Sequence, residues 1–201
     1  VGGAVRMNAG GHGADMAASL HSAYVISLAS GCHGWVPASE LGLRFRGSGL
    51  GNQHVVTWAK VVLEKSDVGC GDALIGDIVK WRRDHQPGGQ NAGSVFINPN
   101  NGAVSAGALI DEAGLRGHRV GTASVSEKHA NFIQSDHEGT SSDVVKLMNV
   151  VQQKVLHHAG IHLHSEIRLL GFAQGEALAI DAGNSSDSEK LEAHLCSKNP
   201  K

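Results

Sequence analysis

The sequence is poor in aromatic residues, proline and cysteine. Aromatic residues make up 4% of the 201 positions, and there are four prolines and three cysteines. Cys32, Cys70 and Cys196 lie far apart and form no CxxC pair, which predicts a reducing cytoplasm where each is a plain small side chain. No apolar run approaches the roughly 18 residues of a membrane helix, and no signal peptide is visible, so no membrane partner is predicted.

An excess of charge of either sign is also missing. The net charge is -2 at pH 7, which argues against a nucleic-acid partner and against an anionic membrane surface. Hydrophobic residues make up 41% and charged residues 18%, which argues against disorder. A chain of this length can bury a real core and hold one or two domains.

Glycine is abundant, with 27 residues, many of them in clusters. Residues 1–13 form one cluster, and such backbone can turn several N–H groups toward an anion such as a pyrophosphate. A tight turn that opens a helix explains the same pattern. The GxGxxG and Walker spacings are absent, so a Rossmann domain is not predicted. Because the chain begins with Val1 inside this cluster, we expect it to be a fragment.

A single hydroxyl, Ser94, stands out in residues 91–99 (Asn-Ala-Gly-Ser-Val-Phe-Ile-Asn-Pro). Gly93 before it can accept unusual backbone angles, and Val95 and Phe96 after it can anchor the segment in apolar surroundings. The pattern fits a proton donor on a rigid scaffold, and it also fits an ordinary loop that enters a short strand. The GxSxG elbow is absent, so a Ser/His/Asp nucleophile site is not predicted.

Periodicity predicts strands over residues 23–29, 54–64, 119–126 and 131–134, and helices over residues 72–83, 106–113 and 140–158. Asp72 is the expected cap of the first helix, whose apolar surface would come from Leu74, Ile75, Ile78, Val79 and Trp81. Arg44 and Arg46 would share one face of an extended segment, where they could hold an anion or simply be solvated. A domain boundary is predicted in the polar segment 66–71.

Residues 161–171 alternate between apolar and polar side chains, which predicts a strand. Its polar face would carry His162, His164 and Glu166, a set that could bind a metal ion. Alternation on a half-exposed strand produces the same triplet without a metal, and no metal site is the preferred interpretation. Residues 174–201 are polar and without pattern, which predicts a solvated tail.

Six segments together resemble the UDP-N-acetylenolpyruvoylglucosamine reductase (MurB) family, in the family's order. They are Val-Gly-Gly-Ala-Val-Arg-Met-Asn-Ala-Gly at 1–10, Phe-Arg-Gly-Ser at 45–48, Gln-Pro at 86–87 with Ala-Gly-Ser-Val-Phe-Ile-Asn-Pro at 92–99, Ala-Gly-Ala-Leu-Ile-Asp-Glu-Ala-Gly-Leu at 106–115, Val-Ser-Glu-Lys-His-Ala-Asn-Phe-Ile at 125–133, and Glu-Ile-Arg-Leu-Leu-Gly at 166–171. The resemblance extends over residues 1 to about 172.

The resemblance implies an α+β chain. Residues 1–65 would be the C-terminal part of a two-part FAD-binding α/β domain, and residues 66–173 the family's C-terminal α+β substrate domain. The implied enzyme is a monomeric, cytoplasmic UDP-N-acetylmuramate dehydrogenase of peptidoglycan synthesis. It would use FAD and NADPH to reduce the enolpyruvyl ether of UDP-N-acetylglucosamine.

The resemblance also implies roles for individual residues. Ser94 matches the family's proton donor, Glu166 the carboxylate beside it, and Arg46 the arginine near the flavin and the developing anion. The residues that match the FAD-contacting loop are Gly2, Gly3, Ala4, Asn8 and Gly10. The residues that match the substrate pocket are Asn98, His129 and His85.

The sequence departs from the family at two of these places. His85 stands where many members have a lysine, and His12 where a tyrosine is frequent; the chain also lacks the inserted tyrosine segment of one subclass. Other interpretations stay open: a related flavin oxidoreductase with a different substrate, a metal-binding module, or a fragment that folds without flavin and without turnover.

Overall fold

The computed structural model of the chain describes residues 1–172 and 185–198. The chain divides into two compact units, one formed by Val1–Asp67 with Ala182–Lys201 and the other by Val68–Asp181. The architecture is α+β, and all paired strands are antiparallel. Among the helices of these described ranges, none is both long and apolar enough to cross a membrane.

The first unit contains, in order, α1 (Gly2–Arg6), β1 (Gly10–Gly11), β2 (Ala14–Asp15), α2 (Met16–Ser19), β3 (Leu20–Ser27), β4 (His33–Pro37) and β5 (His54–Val61). The second unit continues with α3 (Val68–His85), β6 (Asn91–Ser94), α4 (Ala106–Glu112), β7 (Arg119–Val120), β8 (Ala123–Val125), β9 (Phe132–Ser135) and α5 (Ser141–Ala159). The last helix, α6 (Ser185–Lys198), returns to the first unit.

The N-terminal glycine cluster is not one loop. Gly2, Gly3 and Ala4 lie in α1, and Gly10 lies in the hairpin β1–β2. The helix forms despite its glycines because Val5 is fully buried in the core of the unit. A Cβ atom at Gly2 would lie 3.1 Å from the carbonyl oxygen of Val56, so glycine lets α1 pack directly on β5.

The core of the first unit lies under the sheet β4–β3–β5 and is closed by α6. Leu191 and Leu195, four residues apart and hence on one helix face, are buried with Val25 and Leu41. The prediction of a solvated tail is therefore wrong for residues 185–198. The residues around Leu191 and Leu195 are mostly polar, so no clear pattern in the sequence indicated that these two side chains dock a short helix. The rest of the predicted tail lies outside the described residues.

The cysteines also differ from the prediction. Cys32, beside β4, and Cys196, in α6, form a disulfide across 164 residues, with their Cα atoms 5.2 Å apart. Only the return of the chain end brings them together, and spacing along the sequence cannot reveal such a pairing. Cys70 is exposed and remains a thiol.

The second unit has a four-stranded sheet in the order β6–β9–β8–β7, with α4 and α5 packed around its core. The prediction of a helix over 140–158 is confirmed within one residue at each end. Thr140 caps α5 by accepting the N–H of Asp143, and Gly160 ends it with φ 67°. Leu147, Met148 and Val151 form the buried stripe.

Helix α3 differs from its prediction in two ways. It begins at Val68, so Asp72 lies inside it and is not its cap. Gly69 and Gly71 each disfavour a helix by about 1 kcal/mol, and for this reason the sequence predicted that the helix begins after them, at Asp72. Its expected apolar surface is not buried either, since Leu74 and Ile75 are each 61% exposed.

Residues 161–171 do not form the predicted regular strand. Only a single bridge, between Phe96 and Ser165, ties them to β-structure. Leu163 alone in this segment is fully buried, and the buried Gln152 side chain donates to its carbonyl oxygen at 2.6 Å. This helix-to-segment bond takes the place of a strand-to-strand ladder there.

Candidate active site

Ser94 is the last residue of β6 and pairs with Phe132 of β9. Gly93 has φ 82°, and the register of the two strands shifts between Asn91 and Ser94. The Asn91 side chain stabilises this irregularity by accepting the Gly93 N–H at 3.0 Å. Among residues 1–172 and 185–198, none forms a hydrogen bond with the half-buried Ser94 hydroxyl.

Asn131 fixes the backbone that follows Ser94. Its buried carboxamide accepts the Phe96 N–H at 2.9 Å and donates to the Phe96 carbonyl at 2.8 Å, while its own carbonyl accepts the Val95 N–H. Sequence reasoning placed Asn131 in a matching motif but gave it no role. The feature of the sequence that could have revealed this role is a single amide side chain between apolar Ala130 and Phe132.

Glu166 lies directly beside the Ser94 segment. Its N–H donates to the Val95 carbonyl at 2.8 Å, and the Ile97 N–H donates to the His164 carbonyl at 2.9 Å. These two bonds flank the Phe96–Ser165 bridge, so the segments run antiparallel. The structure thus brings together the backbones of Ser94 and Glu166, which are far apart in the sequence.

The three residues predicted to line the substrate pocket have different surroundings. The Asn98 carboxamide oxygen accepts the Ala106 N–H at 3.0 Å, at the start of α4. The exposed His85 ring donates through Nδ1 to the Trp81 carbonyl at 2.8 Å and stacks on the Trp81 ring. Its other nitrogen, Nε2, is the atom that it could offer to a ligand.

His129 is half-buried and packs against α4. Its Nδ1 accepts the Asn131 N–H at 3.2 Å, and a Cβ atom at Gly107 would lie 3.3 Å from its Cε1 atom. Burial lowers the pKa of His129. A backbone hydrogen bond of His129 raises the pKa in part, and the charge of Arg116 lowers it further. The lowered pKa favours the neutral ring. Because Nδ1 accepts the Asn131 N–H, the proton of that ring lies on Nε2, which is the atom that could donate to a ligand.

A cleft of about 440 Å³ opens in the second unit. Pro87 and Gly88 line one part of it, and Ser126, Glu127 and Lys128 line another. It therefore joins two segments that the sequence analysis singled out, 86–87 and 125–133. None of the predicted catalytic residues is among its lining residues.

A second cleft, of about 430 Å³, lies in the first unit and is lined by Asn8, Gly10 and Arg46. Arg46 donates from Nη2 to the Gly10 carbonyl at 2.9 Å. Gly2, Gly3 and Ala4 are not among the lining residues. Arg44 and Arg46 do not share a face of an extended segment as predicted, because they lie in a tight turn that pairs Arg44 with Gly47.

The second cleft fits an anionic group. Its wall includes Gly11 and Gly13, and a Cβ atom at either would have no neighbour within 4 Å, so the backbone there is open to a ligand. Arg46 supplies positive charge. The Asp15 carboxylate also lines the cleft, but its oxygens accept hydrogen bonds from Asn8 and Ala18. A diphosphate is the kind of group such a wall can hold.

The predicted metal alternative is not supported. The rings of His162 and His164 lie 5.0 Å apart, and both side chains are exposed. In the described part of the chain, no three His, Cys, Asp or Glu side chains form a group that could hold a metal ion. Residues 161–171 do not form the regular strand on which the hypothesis placed Glu166 on one face with the two histidines.

These features define an α+β protein with an arginine-lined cleft in one unit and, in the other, a serine segment whose backbone pairs with that of Glu166. The family described as "UDP-N-acetylenolpyruvoylglucosamine reductase, C-terminal domain" matches residues 85–170. The protein of that name from Heliobacterium modesticaldum is 37% identical over 94% of this chain and 60% of its own length. One from Bacillus licheniformis is 36% identical over 85% of this chain and 93% of its own length.

A comparison with solved structures indicates the same family. The crystal structure of UDP-N-acetylenolpyruvylglucosamine reductase (MurB) from Thermus caldophilus superposes with a TM-score of 0.72 at 34% identity, covering 84% of this chain and 59% of that one. This chain belongs to the UDP-N-acetylenolpyruvoylglucosamine reductase family, as the sequence motifs predicted. It spans about 60% of the length of the first of these relatives.

Proposed function

We propose that this chain carries the substrate-reducing half of a UDP-N-acetylmuramate dehydrogenase. The substrates would be NADPH and the enolpyruvyl ether of UDP-N-acetylglucosamine, and the cofactor FAD. Residues 1–65 would supply part of the FAD site, and residues 66–173 the substrate site. The observation that supports the proposal is the bond from the Glu166 N–H to the Val95 carbonyl, which holds the backbone of Glu166 against the segment that follows Ser94.

FAD, when bound, would relay a hydride from NADPH to the methylene carbon of the substrate. The chain's own residues would manage the charge that follows. As the methylene becomes a methyl group, negative charge develops on the adjacent carbon and its carboxylate. Ser94 Oγ would donate its proton to that carbon, and Glu166 beside it would help to position the serine and the reacting group.

A serine hydroxyl is a weak acid in water, so this role requires a strongly basic carbon close by and little solvent. The half-buried position of Ser94 and its hydroxyl without a partner are consistent with that need. The family resemblance gives Arg46 the role of stabilising the developing anion. In the structure Arg46 lines one cleft with Asn8 and Gly10, and these residues would contribute to the FAD site. Asn98, His129 and His85 would contribute to the substrate pocket.

The test separates the two half-reactions. In Ser94→Ala, NADPH should still bleach the bound flavin at the unaltered rate, while product formation falls about 100-fold or more. The matched control is Ser135→Ala, which removes another half-buried hydroxyl from the neighbouring strand β9. Equal losses in both half-reactions would reject Ser94 as the proton donor.

A second candidate is a flavin oxidoreductase with another substrate, favoured by His85 in place of the usual lysine. Flavin that is reduced by NADPH but not reoxidised by the enolpyruvyl sugar nucleotide would select it. A chain that folds but takes up no flavin would select a non-catalytic fragment.

A further inference from the structure

The turn that carries Arg46 belongs to a loop, residues 41–51, that is closed twice. The Gly49 N–H donates to the Leu41 carbonyl at 2.8 Å, which closes the base. Arg44 and Gly47 exchange two backbone hydrogen bonds, of 2.9 and 3.0 Å, which close the tip. Arg46 lies at the tip with φ 53°, a conformation that a side-chain-bearing residue rarely adopts without support from its surroundings.

Helix α6 rests against the base of this loop. A Cβ atom at Gly49 would lie 3.1 Å from the Asp187 Cβ, and one at Gly51 would lie 2.6 Å from the Ser188 Oγ. Glycine at these two positions therefore makes room for the first turn of the helix. Asp187 also pairs with Arg44, Oδ2 to Nη1, at 3.4 Å.

The other end of the loop forms part of the wall of the cleft that Asn8, Gly10 and Arg46 line. The Arg44 carbonyl accepts a hydrogen bond from Asn8 Nδ2 at 3.2 Å, and Arg46 donates to the Gly10 carbonyl at 2.9 Å. Asn8 is itself buried and has φ 41°. One loop thus joins α6 to two residues that line the cleft.

Two further contacts fasten α6 in this position. The disulfide between Cys32 and Cys196 ties its last turn to the segment before β4. His54, whose side chain is fully buried, accepts the Gly51 N–H at Nδ1 and donates from Nε2 to Glu192 at 2.9 Å. The histidine therefore links α6 to the same loop at Gly51. Helix α6 lies outside residues 85–170, the range that the model of the family's C-terminal domain matches.

We propose that α6 is a redox-latched support that positions Arg46 and Asn8 in the cleft, with Asp187 as a positioning residue that acts through Arg44. The role of Arg46 toward flavin and substrate rests on the proposed function above; the latch does not. A dithiol such as dithiothreitol would cleave the Cys32–Cys196 bond, leave two thiols and itself become a cyclic disulfide. Residues 185–198 would then be held only by non-covalent contacts, and the loop would open more often.

The test is amide hydrogen exchange on the intact chain, with and without dithiothreitol. Reduction should speed exchange at Gly47, Gly49 and Leu50 by about tenfold or more, and should change the amide of Val25 in β3 far less. The control is the reduced Cys70→Ser variant, which should behave as the reduced wild type. Equal acceleration at Val25 and at the loop would mean a general loss of structure and would overturn the positioning role.

A second pair of variants tests the support in the oxidised protein. Asp187→Ala should speed loop exchange about two- to fivefold, as expected for a partly exposed ion pair, and Asp187→Glu should restore slow exchange. Unchanged exchange in Asp187→Ala would refute the role of Asp187.

An FAD titration in both redox states separates this proposal from the proposed function. Weaker FAD binding after reduction supports both. Loop exchange that responds to reduction, in a chain that binds no FAD in either state, would reject the FAD function and leave the latch standing. FAD binding together with loop exchange that does not change on reduction would reject the latch and leave the FAD function standing.

Discussion

The two units close their hydrophobic cores in different ways. The buried core of the second unit comes from one continuous stretch, between Val95 and Leu163. The core of the first unit combines residues from Val5 to Leu50 with Leu191 and Leu195, from the far end of the chain. The same polymer therefore contains one locally closed core and one core that needs a distant segment.

Because the cores are closed differently, different substitutions should destabilise each unit. Bringing distant chain ends together costs loop-closure entropy, and the first unit recovers that cost through two buried leucines, a disulfide and the His54–Glu192 pair. The second unit closes its core from side chains within one compact stretch, and the Asn131 carboxamide holds the Phe96 backbone there. Changes in α6 should affect only the first unit, and changes at Asn131 only the second.

The largest expected effect comes from Leu195→Ala. Leu195 is 1% exposed, so the variant should lower the free energy of unfolding of the first unit by about 2–5 kcal/mol. Hydrogen exchange, read separately for peptides of each unit, is the measurement. Leu156→Ala, at an exposed position on α5, should change either unit by no more than about 0.5 kcal/mol. If Leu195→Ala lowered the free energy of unfolding of both units equally, the two cores would not be independent of each other.

The next effect comes from Asn131→Ala. This variant leaves the N–H and the carbonyl of Phe96 buried without partners, which should destabilise the second unit by about 2–4 kcal/mol. Chemical denaturation followed by exchange in β6 and β9 measures the loss. Gln153→Ala, an exposed change on α5, is the control. A loss no larger than that of the control would show that the Asn131 clamp is not needed.

The smallest effect is a difference in how acid weakens the units. The pKa of His129 is lowered mainly by burial, so its neutral form favours folding. That contribution is complete above the unfolded pKa, about 6.5, and is lost as pH falls through the folded pKa. His129→Gln should make the stability of the second unit flatter between about pH 7 and pH 5. An unchanged pH profile would contradict this.

Glu192 predicts the matching behaviour of the first unit at lower pH. Burial alone would raise the pKa of Glu192, but the hydroxyls of Ser30 and Ser27 and the His54 ring together lower it. Its contribution is therefore complete above the unfolded pKa, about 4.3, and is lost as pH falls below it. In Glu192→Gln this acid step should be absent, while the second unit keeps its own profile.

Prediction of the fold from sequence succeeded where structure is local. The apolar stripe and caps of α5 gave its length, and the short helix predicted over residues 106–113 is α4 (Ala106–Glu112), which Gly114 follows with φ 69°. It failed for α6 and for the Cys32–Cys196 pair, because docking across 164 residues leaves no local pattern. It also failed at residues 161–171, where alternation is present without a strand to pair with along its whole length.

The candidate site was predicted through family motifs more than through physical patterns. Alternation alone suggested a metal at His162, His164 and Glu166, and the structure does not support it. The pairing of the Glu166 backbone with the segment after Ser94 became visible only with the backbone bond to Val95. The role of Asn131 required coordinates, because an amide in an apolar run says that a partner exists but not which one.

Because the proposed chemistry needs FAD in the cleft that Arg46 lines, a flavin titration is the decisive measurement. FAD should bind this chain saturably at one per chain, with a change in its visible absorbance, and Arg46→Ala should weaken binding about tenfold or more, as expected for loss of a charge-assisted contact. An absorbance equal to the sum of free FAD and protein at every concentration would contradict the account.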